Sequence, residues 1–114
     1  MPFKPEELPL IESYFQSYCD KKNNPEIYEK LHLDYEIDNQ SIILLEVRQH
    51  WQDPTRETRS EVAKIKYIRS SNIWKLYWMR QDLKWHLYEP HPEASSYVTL
   101  LEVVDRDEYC CFYG

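Results

Sequence analysis

Residues 73–89 read IWKLYWMRQDLKWHLYE, and the way this stretch folds decides the rest of the chain. It holds three of the four Trp (Trp74, Trp78, Trp85) and two of the ten Tyr (Tyr77, Tyr88), interleaved with Lys75, Arg80, Lys84 and His86. Aromatic residues suit a pleated, half-buried surface, and two such runs meet at a short polar break, so the stretch predicts a β-hairpin turning at Gln81-Asp82. Burying one aromatic side chain removes about 150–250 Å² from water, roughly 4–6 kcal/mol at 25 cal/mol/Å², so a ribbon this rich in rings sets the core. Alternation along its first arm places Trp74, Leu76, Trp78 and Arg80 on one face, with Ile73, Lys75, Tyr77 and Met79 on the other. The Trp74 face is the more apolar and is expected to lie under helices, leaving Lys75 and Tyr77 on an open face.

Upstream of the ribbon the period is again that of strands. Leu31, Leu33, Tyr35 and Ile37 alternate with His32, Asp34 and Glu36, and Asp38-Asn39 reads as a tight turn into Ser41–Trp51. In that second strand Ile42, Ile43, Leu44, Leu45 and Val47 make both faces apolar, the mark of a central strand. A polar loop from Asp53 through Arg59 precedes a third strand, Glu61–Arg69, whose Lys64 and Lys66 lie opposite Ala63, Ile65 and Tyr67. Ser70-Ser71-Asn72 then turns the chain into the ribbon.

Helical spacing appears at the two ends. Ile11, Tyr14, Phe15, Tyr18 and Cys19 recur at i, i+3, i+4, i+7 and i+8, which predicts an amphipathic helix from Pro9 to Lys22, stopped by a left-handed cap at Asn23-Asn24 before Pro25. Pro25–Lys30 is expected to add one helical turn. A second helix is expected from about Ser95 to Asp105, capped by Ser95 or Ser96, with Tyr97, Leu100, Leu101 and Val104 inward. Tyr109–Tyr113 reads as a short, docked terminal strand. The sum is an α+β fold: one domain, residues 1–114, with an antiparallel meander of about five strands and two helices packed on one face.

Composition narrows function chiefly by exclusion. The only glycine is Gly114, so no glycine-rich loop can cradle a phosphate and the common dinucleotide and P-loop motifs are ruled out. No cofactor is implied. The longest apolar runs are a few residues long, so no membrane span is expected. The N-terminus, with Pro2, Pro5, Pro9 and Glu6-Glu7, does not read as a secretory leader, and the three cysteines (Cys19, Cys110, Cys111) fit reduced thiols in a cytoplasm. The net charge of −6 opposes indiscriminate nucleic-acid binding, but the balance is uneven: +3 over Ser41–Pro90 and −9 over the remainder.

Glu46-Val47-Arg48, Ala63-Lys64-Ile65-Lys66-Tyr67, Trp74-Lys75-Leu76-Tyr77-Trp78-Met79-Arg80, Leu83-Lys84-Trp85-His86-Leu87-Tyr88 and Phe112-Tyr113-Gly114 together resemble the bacterial family known as domain of unknown function 3024. The likeness covers nearly the whole chain. It departs at Tyr113, where that family more often has Trp. The resemblance implies a bacterial, single-domain, cytoplasmic protein, and it brings no catalytic residue with it.

Several residues remain as site candidates. Lys64, Lys66, Arg69, Lys75, Arg80 and Lys84, among Tyr77, Trp78 and Trp85, have the makeup of a platform for an anionic ligand or single-stranded nucleic acid, with rings for bases and cations for phosphates. The bland alternative is core packing with solvated lysines. Glu46 and Arg48 share a strand face, and are expected either to trim it as an ion pair with Lys64 or Lys66 nearby or to bind an anion. His86 has the side chain of a ligand or general base and, gathered with Glu46 and Arg48, would make a small enzyme pocket. Cys110-Cys111 lacks zinc-ligand spacing, so no metal is expected. The favoured reading is a non-catalytic binding module using Arg48, Lys64, Lys66, Lys75, Tyr77 and His86, acting as a monomer or homodimer. The alternatives are the Glu46/Arg48/His86 enzyme and a homodimeric structural protein.

Overall fold

The computed structural model describes residues 3–50, 52–53, 55–109 and 111–112. In chain order they form α1 (Leu8–Lys22), β1 (Leu31–Asp38), β2 (Ser41–Gln49), β3 (Glu57–Ile68), β4 (Ile73–Met79), β5 (Trp85–Leu87), β6 (Glu93–Ala94) and α2 (Tyr97–Arg106). Strands β1 to β5 lie side by side in sequence order and antiparallel, as short connections dictate. Both β5 and β6 pair with the outer edge of β4. One apolar core joins Ile11, Phe15 and Cys19 of α1 and Leu100, Leu101 and Val104 of α2 to the inner sheet positions, among them Leu33, Ile42, Leu44, Ile65 and Leu76. This is the α+β arrangement expected, with both helices on one face of an antiparallel meander.

Local chemistry accounts for the helix ends. Pro9 occupies the first turn of α1, where its missing N–H costs nothing. The helix does not end in a left-handed cap: Asn23 is extended (φ −79°, ψ 136°). Its side chain instead behaves like a strand partner, accepting from the Leu33 N–H (2.6 Å) and donating to the Leu33 carbonyl (3.0 Å). Residues 25–30 form turns, not a further helical turn; Asn24 Oδ1 captures the Glu26 N–H, a local bond that competes with helix continuation. At α2, Ser96 Oγ accepts from the Val98 N–H (3.1 Å), and Asp107 closes the helix in the left-handed region (φ 43°).

The sheet departs from the sequence expectation in four places. Strand β3 begins four residues early, at Glu57, because backbone pairing with Val47, Arg48 and Gln49 continues beyond its apolar residues. Val62 is an extra residue bulged between Glu61 and Ala63, and it is buried. Strand β5 has only three residues; beyond it Pro90 and Pro92 break the run, and Glu93-Ala94 re-pairs with Lys75 and Trp74. Finally, the described part of 109–113 is not a strand. Phe112 is nonetheless docked, its ring 4.9 Å from that of Tyr88 and its N–H bonded to Asp107 Oδ1 (3.0 Å). Cys110, Tyr113 and Trp51 lie outside the described residues.

With glycine absent from the turns, Asn39, Asn72 and Asp107 supply positive φ, as residues that tolerate it should, and Leu83 (φ 61°) is the exception. No described helix is long and apolar enough to cross a membrane.

Candidate functional site

Register divides the charged residues between two faces. Ile43 pairs with Lys64, Lys64 with Tyr77, Ser41 with Lys66, and Lys66 with Lys75, so these residues share the face away from the helices. On the same face Tyr77 pairs with Leu87, and Met79 with Trp85. Among the described residues no helix covers this side. On this side β2 carries Ile43, Leu45 and Val47, which are buried yet stand apart from the main core. They lie under polar neighbours: Arg59, on β3, reaches across β2 to Glu36 (3.2 Å) and Asp34 (3.7 Å) on β1. His32 stacks on Tyr28 beside Val47, ring centroids 4.2 Å apart.

The open face is therefore polarised. Its β1 side is acidic, with Arg59 already engaged. Its β3–β4 side carries Lys64, Lys66 and Lys75 around the half-buried Tyr77. No salt bridge among the described residues involves these three lysines. Lys66 and Lys75 stand directly opposite each other, an arrangement that costs stability unless an anion lies between or over them. The nearest carboxylates by register are Glu93, across from Lys75, and Glu61 at the bulge.

Arg48 and Glu46 are not part of that face. They follow Ile42 and Leu44 in alternation, pair with Leu31 and Leu33, and so lie on the helix side. The expected network with Lys64 or Lys66 does not form, because those lysines point the other way; Arg48 bonds Glu46 instead (2.9 Å). Glu46 lines a cleft of about 180 Å³ with Asn23, Ile27 and Leu33. His86 pairs with Trp78, also on the helix side but three strands away, and lines a different open cleft of about 320 Å³ with Trp78, Arg80 and Tyr88. Glu46 and His86 thus share no cavity. His86 Nε2 instead meets Asp82 Oδ2 (2.8 Å), and this bond, with the Lys84 N–H to Asp82 Oδ1, holds the Asp82 carboxyl below its usual range.

Reactive chemistry is sparse. Burial pushes the Cys19 thiol up to about 12, which removes it as a nucleophile. Among the described residues no cluster of three or more His, Cys, Asp or Glu is placed to hold a metal ion.

The family comparison completes the picture: residues 4–114 match the model described as Domain of unknown function (DUF3024). The chain belongs to the DUF3024 family. No curated protein and no solved structure matches it. In this DUF3024 chain one surface residue escaped the sequence reading. Arg59 sits in what read as loop, and its role required knowing that β3 extends back to Glu57. Of the three rings named for the platform, Tyr77 and Trp85 lie on the open face, while Trp78 lies on the helix side with His86.

Proposed function

We infer that this DUF3024 chain is a non-catalytic binding module of the cytoplasm that holds an anionic ligand on the open β3–β4 face. Lys64, Lys66 and Lys75 are the cationic contacts and Tyr77 the ring among them. One observation carries the reading: three lysines that make no salt bridge among the described residues share the sheet face away from the helices, Lys66 and Lys75 directly opposed and Glu93 across from Lys75 on its other side. A cation pair of this kind contributes nothing to the fold, whereas an anion above it gains from both charges at once. Neither the Glu46 cleft nor the His86 cleft is lined by these lysines or by Tyr77, which suits binding on the sheet surface, and the separation of Glu46 from His86 weakens the enzyme alternative.

Tripolyphosphate is a suitable probe. Titrated into ¹⁵N-labelled protein at low salt, it should shift backbone amides of residues 64–66 and 75–77 and leave those around Glu46 and His86 unmoved. Lys66→Glu should abolish the shifts. Shifts confined to the helix side, or none at low salt, would overturn the assignment.

A further inference from the structure

Beyond its lysines, the open face carries a second feature: two aromatic rings at diagonal positions on neighbouring strands. Tyr77 is on β4. Trp85 is on β5, opposite Met79, and both rings are half-buried. Diagonal positions across an antiparallel pair are about 7–8 Å apart, close enough to serve one extended chain and far enough to take separate flat groups. Beside them, Lys64 and Lys66 are spaced by two residues along β3, about 7 Å, and Lys75 faces Lys66 across the ladder.

We propose that the ligand of this face is single-stranded nucleic acid, with one base stacked on Tyr77, the next on Trp85, and the backbone phosphates along Lys64, Lys66 and Lys75. This rests on the anion-binding reading above and adds the bases. Every base offers a flat π-face, so two rings beside a row of cations recognise a single strand without needing a particular sequence. The borders exclude a duplex. Glu93 bounds the strip at the β4 edge, Glu61 bounds it along β3 at the bulge, and the Asp34–Arg59–Glu36 group bounds it on the β1 side, with strands only about 4.8 Å apart. One phosphate backbone fits between these carboxylates; the second backbone of a duplex would lie over them.

The test is fluorescence anisotropy of the full chain with a labelled dT12 oligonucleotide, a duplex of the same length, and labelled inorganic polyphosphate. Three phosphate contacts predict a salt slope near −2, so raising salt from about 50 to 200 mM should weaken dT12 binding roughly 20-fold. Tyr77→Ser or Trp85→Ser should each weaken dT12 about tenfold or more while leaving polyphosphate binding unchanged. Because either variant could perturb folding, two conservative ones serve as checks. Tyr77→Phe should retain dT12 binding, and Trp85→Phe should retain it while losing the indole quenching that base stacking causes in the wild type. Polyphosphate binding with equal loss of both ligands on lysine substitution, and no effect of the rings, overturns the nucleic-acid inference and leaves the anion site standing. Duplex bound as tightly as dT12 also overturns it. Failure of every anion to bind at low salt removes both readings together.

Discussion

Trp74 and Trp85 lie in one hairpin, eleven positions apart, and their substitution should have opposite consequences for stability and binding. Trp74 is 8% exposed and is enclosed by three rings, Tyr67 (4.7 Å), Tyr97 (5.1 Å) and Phe3 (5.8 Å). Its burial is worth at most about 6 kcal/mol by area, an upper bound because unfolded chains already hide part of this surface. Large-to-small changes at such sites cost about 3–5 kcal/mol, and that is the expectation for Trp74→Ala. A chain of this size has a total stability of roughly 6–17 kcal/mol, so the variant should fold marginally, its Tm lowered by about 12–20 °C. Trp74→Phe keeps most of the contacts and should lose about 1–2 kcal/mol, which secures a measurement if the alanine variant does not accumulate. Trp85→Ala, on the open face, should cost about 1 kcal/mol or less. Urea unfolding followed by circular dichroism measures all three. Equal losses at the two tryptophans, or a loss below about 1 kcal/mol at Trp74, would refute the assignment of faces.

Three further outcomes follow from local geometry. Glu7 accepts from Arg69 (2.9 and 3.4 Å) and from the Lys4 N–H (2.7 Å), chiefly the guanidinium holding its carboxyl below the usual range. A carboxyl lowered in the folded state stabilises above its ordinary pKa and loses that contribution as pH falls through the folded value. Glu7→Gln should therefore be less stable than wild type near pH 7, with the gap closing on acidification below about pH 4; a gap independent of pH across paired urea titrations would contradict this. Ser96→Ala removes the cap of α2 and should cost about 1 kcal/mol, Ser96→Gly less, by the same titration. The peptide containing Cys19 should resist alkylation in the folded protein and react fully in urea, as mass spectrometry can show; rapid native labelling would mean the α1 packing is wrong.

Much of the fold could be read directly from the chain. Two periodicities, near 3.6 for Ile11–Cys19 and 2 for the strands, reflect the geometry of helix and strand alone, so they located the helices and strands and grouped Lys64 with Lys66, and Lys75 with Tyr77, on one side of their strands. The absence of internal glycine likewise leaves the turns to Asn, Asp, Ser and Pro, and Asn39, Asn72 and Asp107 take positive φ in the structure, with Leu83 the exception. Tertiary structure decided what depends on a partner distant in sequence. Whether Glu57–Arg59 is strand or loop turns on the backbone of residues 47–49 lying alongside it to pair. That Asn23 clamps β1 instead of capping α1 depends on Leu33 lying ten residues on and within hydrogen-bond reach. Arg48 and Lys64 read alike as strand cations, but a strand's own alternation does not say which of its sides will meet the helices; only packing does, and it set them on opposite faces.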